Sequence, residues 1–204
     1  YLSPEAHAAI WSALIDVLVK LPRAVLVWKP KRNSFVELLT ARLPDLARLI
    51  TEQRVIVYQG KSDTVKSAPS AAGTVSDLAV AAMFSTAGIE CWLAGTPTLF
   101  VDLSQQTRHF LPKADRNRIV FDDLDRLKAA IMEHANGLPP GAGLFSPEFA
   151  DSLDPYRDGQ AYRRTGMYLN FLQDALATED APAAVHIART RFDAALAAAR
   201  QQPV

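Results

Sequence analysis

Cysteine is nearly absent from this chain: Cys91 is the single one among 204 residues, which excludes an intrachain disulfide and a cysteine-based structural zinc site. Neither sign of charge is in excess, with 22 Lys+Arg against 22 Asp+Glu. That balance argues against a broad cationic surface for nucleic acid or anionic lipid, so any anion site is expected to be small and local. Long hydrophobic runs are missing too. The stretch from Leu14 to Trp28 is broken by Asp16, Lys20, Pro22 and Arg23, short of the ~20 uninterrupted residues of a membrane helix. No charged-then-apolar leader opens the chain, so a reducing, cytoplasmic setting is expected. The first residue is Tyr rather than Met, which suggests a fragment of a larger protein. The four histidines, at positions 7, 109, 134 and 186, show no ligand spacing, and no metal is expected. Absence of GxGxxG, GxxxxGK[ST] and GxSxG weakens the dehydrogenase, P-loop and serine-hydrolase readings.

What remains, 49% hydrophobic and 22% charged residues, is the composition of a globular domain. Ser3-Pro4-Glu5 supplies a capping oxygen and a proline at the first helical position, and apolar residues recur at Ile10, Leu14, Val17 and Leu18, which predicts a helix from Pro4 to Lys20. After Pro22, Ala24-Val25-Leu26-Val27-Trp28 is apolar without alternation, as expected of a parallel strand covered on both faces. The alternation continues along the chain. Helical segments at Ser34 to Ile50 (interrupted by Pro44), Pro69 to Val75 and Thr86 to Ala94 lead to strands at Arg54 to Tyr58, Leu78 to Ala82 and Thr98 to Val101. Ile119 to Phe121 reads as an edge strand before a helix from Asp123 to Ala135. Five strands alternating with helices predict a Rossmann-like parallel sheet of about five strands with helices on both faces, because parallel neighbours require crossovers. A Gly/Pro-rich stretch from Asn136 to Asp158, including Pro139-Pro140-Gly141, precedes two further helices, from Gly159 to Ala177 and from Ala181 to Arg200. The expected division is a nucleotide-binding domain over residues 1–150 and a helical segment over 151–204 packing on it.

Ligands of open parallel sheets bind at the strand carboxyl ends, and two places there are chemically distinctive. Lys29-Pro30-Lys31-Arg32 follows the first strand, three cations in four residues on a proline-stiffened loop; it reads either as a phosphate-binding corner or as solvated loop charge. Phe84-Ser85-Thr86-Ala87-Gly88-Ile89-Glu90 connects the Leu78 strand to the next helix. Ser85 or Thr86 would cap that helix, the amides of Ala87 and Gly88 would face an anion, and Gly88 would let a ligand approach the backbone. Glu90, one turn in, could accept hydrogen bonds from a ribose diol. A plainly capped helix, with Glu90 complementing its dipole, is the competing reading. Cys91, mid-helix beside Trp92, is expected to be buried rather than nucleophilic, and Asp122-Asp123 reads as a strand-end turn and helix cap.

Three segments together carry a family resemblance: Ser76-Asp77-Leu78-Ala79-Val80, then Ser85-Thr86 with Glu90, then Gly95-Thr96-Pro97-Thr98. This resembles the donor-binding half of GT-B glycosyltransferases, most of all the bacterial enzymes that build capsule, lipopolysaccharide and other surface carbohydrates. Asp154-Pro155-Tyr156-Arg157-Asp158-Gly159-Gln160-Ala161 and Arg163-Arg164-Thr165-Gly166-Met167-Tyr168-Leu169 are similar to an ending found in that group. The resemblance spans Ala24 to Leu169. It implies a nucleotide-sugar as donor substrate with no cofactor, its phosphate held by Lys29 and Ser85-Thr86 and its ribose or sugar met by Glu90; Lys31, Gly88 and Arg157, read from their positions, complete the expected donor-binding set. It also implies a glycan or glycolipid acceptor, a separate N-terminal acceptor domain carrying the catalytic base, no nucleic acid, and peripheral association of the full enzyme with the inner face of the bacterial membrane. Lys29-Pro30 is similar to the Lys- or His-Pro motif of enzymes that use ulosonic-acid donors linked to CMP; a CDP-polyol phosphotransferase and a non-catalytic α/β interaction domain stand as alternatives. In the ending, Arg157 is expected either at a donor phosphate or paired with Asp154 or Asp158. Asp158 is expected to cap a helix whose packed face includes Tyr162, Met167, Tyr168, Phe171 and Leu172.

Overall fold

The computed structural model describes residues 2–31, 33–58, 68–104, 118–137 and 143–200. Arg32, His109 and Pro139-Pro140-Gly141 lie outside them. The chain divides into two compact units, Tyr1–Phe149 and Ala150–Val204.

In the first unit, α1 (Pro4–Lys20) starts as its sequence dictates: Ser3 is extended and its hydroxyl accepts the Ala6 amide at 3.2 Å, with a proline in the first turn. Its far end is closed from a distance. The Arg54 guanidinium donates to the carbonyls of Leu18 and Leu21, both at 2.8 Å, and of Ala24 at 2.9 Å. One side chain thereby adds a second donor to the Leu18 carbonyl, which also accepts the Leu21 amide at 3.2 Å, bonds two carbonyls beyond the helix end, and ties α1 to the entry of the first strand. β1 (Leu26–Trp28) pairs in parallel with β2 (Val55–Val57), Leu26 opposite Val55. Between them run α2 (Asn33–Arg42) and α3 (Pro44–Thr51). They are two helices because Leu43, the residue before a proline, leaves helical geometry at φ −125°, ψ 88°. Trp11, Ile15 and Leu18 of α1 pack with Trp28, Leu39, Leu46, Leu49 and Val55, the two indoles 4.4 Å apart.

The second sheet is also parallel, in the order β3 (Ala79–Ala82), β4 (Thr98–Val101), β5 (Val120–Phe121). Every residue of β4 is buried, and its two faces go to different partners. Leu99 and Val101 meet Ile10 of α1 and Leu127 and Ala130 of α6 (Leu124–Ala135). Phe100 meets Phe145 and Phe149, with Phe84, Ile89 and Trp92 packed around them. Ile89 and Trp92 belong to α5 (Thr86–Leu93), which follows β3, while the short α4 (Pro69–Gly73) precedes it.

The chain is therefore a mixed α/β protein with parallel strands, but the expected five-strand sheet is corrected to one ladder of two strands and one of three. β1 has three residues and three of the four in β3 are alanine, a weak strand former, so little side-chain surface exists to hold those two edges in register. Packing through α1 joins the sheets instead: Ile10 faces the three-stranded cluster, while Trp11, Ile15 and Leu18 face the two-stranded one. The first strand was expected to be covered on both faces, yet Val25 is 51% and Ile56 48% exposed, because only the Leu26, Trp28, Val55 face meets the α1 to α3 helices.

The second unit contains most of α7 (Pro147–Leu153) and a helical hairpin of α8 (Ala161–Leu176) and α9 (Ala181–Arg200). Ala175, Ala184 and Ala188 are buried in it, small enough to let the helices close on each other, and Tyr168 meets Phe192 edge-on at 5.7 Å. Tyr162, expected on the packed face, is 66% exposed.

Candidate functional site

β3 leaves its sheet through an unusual residue. Met83 has φ +58°, a left-handed conformation that costs a non-glycine side chain free energy, and its amide still donates to the Val101 carbonyl at 2.7 Å. The bend sends Phe84 into the aromatic cluster, 4.8 Å from the Phe100 ring, and places Ser85 at the N-cap of α5 with extended φ −124°, ψ 153°. Such a serine would ordinarily accept a first-turn amide on its hydroxyl; here the hydroxyl makes no capping bond. The Ser85 carbonyl does the work instead, accepting the amides of Gly88 at 3.1 Å and Ile89 at 3.2 Å. Among the described residues, the hydroxyls of half-buried Ser85 and exposed Thr86 and the amides of Thr86 and Ala87 have no hydrogen-bond partner.

Gly88 serves the fold. A Cβ there would stand 2.3 Å and 2.7 Å from Phe100 ring carbons and 2.8 Å from the Ala81 Cβ, so α5 can lie on β3 and β4 only because this residue has no side chain. Its amide faces Ser85 rather than an anion. Glu90 is half-buried one turn further on. Next to it the Cys91 thiol lies 3.5 Å from the Pro69 carbonyl, and burial pushes its pKa up, reinforced by the Glu90 charge and opposed by a Gly73 backbone hydrogen bond and the Lys29 charge. A raised pKa suits a structural thiol rather than a nucleophile, although Cys91 is half-buried and not buried as expected. Lys29, directly after β1, is half-buried. Lys31 is exposed.

At the neighbouring strand ends, Asp102 directly follows β4 and is 4% exposed, its Oδ1 accepting the Ser104 amide at 2.8 Å. Sequence reasoning passed over it, although an acid right after the apolar run Leu99-Phe100-Val101 was a legible signal. Asp123 caps α6 through the Arg126 amide at 2.8 Å, and Asp122 is exposed beside it, a strand-end turn and cap.

Arg157 belongs to the second unit. Its backbone is left-handed at φ +48°, its amide donates to Asp154 Oδ1 at 3.0 Å, and its guanidinium donates to Asp151 of α7 at 2.7 Å. The expected partnership with Asp158 is absent because that carboxylate is occupied by the Gln160 amide at 2.9 Å and by both oxygens' bonds from Arg164, at 3.0 and 2.8 Å. These bonds, the Arg164 one above all, hold Asp158 below the ordinary carboxylate range. Arg164 also lies over the Tyr156 ring, 4.0 Å from its centroid. The helix cap itself is Gln160, without a side-chain bond.

These features define an α/β unit with helices against two small parallel sheets, followed by a helical hairpin. Among the described residues no group of three or more His, Cys, Asp or Glu could hold a metal ion, and no helix is long and apolar enough to cross a membrane. No family model matches the chain, and neither a curated protein nor a solved structure matches it.

Proposed function

We propose that this chain binds the donor of a glycosyltransferase that builds bacterial surface carbohydrate, taking a nucleotide-sugar phosphate at the turn between β3 and α5. One observation carries the reading: Ser85 occupies an N-cap yet leaves its hydroxyl, and the next two amides, unused by the helix. A phosphate there would accept from the two hydroxyls and the Thr86 and Ala87 amides and would sit at the positive end of the α5 dipole. Lys29 would add a screened charge from the end of β1. Glu90, half-buried one turn into α5, would accept from a ribose or sugar hydroxyl. The base that activates the acceptor, and the acceptor site itself, belong in this proposal to another domain, so the chain binds donor without transferring it.

Titration calorimetry with CMP, CDP, UDP and GDP tests the proposal. Saturable binding is expected with one of them, CMP marking an ulosonic-acid donor, CDP a polyol phosphate, and UDP or GDP a hexose. Ser85→Ala with Thr86→Ala should weaken it by about 1–3 kcal/mol. Because Ser85 makes no capping bond, the melting temperature should stay unchanged. Absence of binding to all four, or equal binding by wild type and double mutant, would overturn it and leave an interaction domain that keeps the fold without using the turn.

A further inference from the structure

We draw no further inference here: the strongest candidate, the apolar surface stripe that Tyr162, Leu169 and Leu176 expose along α8, carries nothing because nothing in the structure shows what covers it.

Discussion

Replacing Gly88 by alanine would put a methyl carbon 2.3 Å from one carbon of the Phe100 ring and 2.8 Å from the Ala81 Cβ. Neither neighbour has room to retreat. Phe100 is fully buried, with Phe84 4.8 Å and Phe145 6.0 Å from its ring centre, and Ala81 is part of a strand paired to Leu99 and its neighbours in β4. Overpacking of such a core costs about 1–3 kcal/mol, while alanine is favoured over glycine inside a helix by about 1 kcal/mol. With separations this far below van der Waals contact the clash should prevail, leaving a net loss of about 1–2 kcal/mol and a melting temperature lowered by about 2–8 °C. Urea unfolding of Gly88→Ala, Phe100→Leu and the double mutant tests the cause. Leucine removes the ring atoms that the methyl would strike, so the double mutant should be more stable than the sum of the singles predicts, by about 1 kcal/mol. A neutral or stabilising Gly88→Ala, or strict additivity, would refute the packing argument. If nucleotide affinity fell while stability held, Gly88 would instead be the place where a ligand approaches the backbone.

Arg54→Ala should strip donors from three carbonyls at once and cost about 2–4 kcal/mol, with Arg54→Lys recovering only part because an ammonium cannot span all three; urea unfolding followed at Trp11 and Trp28 would read this. Lys29→Ala should weaken nucleotide binding more at low than at high salt, and more than Lys31→Ala does; equal effects would make the loop a diffuse surface charge. Asp158 is held below the ordinary carboxylate range by Arg164 and the Gln160 amide, so its contribution to the start of α8 is complete at neutral pH and is lost as the pH falls through its depressed value. The protection factor of the Gln160 amide, referred to the intrinsic exchange rate at each pH, should fall in acid in the wild type, and in Asp158→Asn should be low and unchanged across that range.

Features that act within a turn or two of chain were legible from local composition. Ser3-Pro4 started α1, Pro44 split the helix before β2, Asp123 capped α6, and the apolar runs at Leu26, Val55, Ala79, Thr98 and Val120 became strands. Each depends on backbone angles, a hydrogen bond to a residue three or four away, or a burial pattern, and local composition dictates all of these. Which strand edges meet depends on long-range packing that no local rule describes: α1 links the two ladders because Ile10 and Trp11 pack into different clusters. The same holds at the candidate site. Ser85 looked like a capping hydroxyl and Gly88 like a ligand approach, yet the close fit of Gly88 to Phe100, twelve residues on in the sequence, made the glycine a packing residue, while the Ser85 carbonyl rather than its hydroxyl closed the first turn. Arg157 likewise found Asp151 rather than Asp158, because Arg164, one turn into α8, had already claimed that carboxylate.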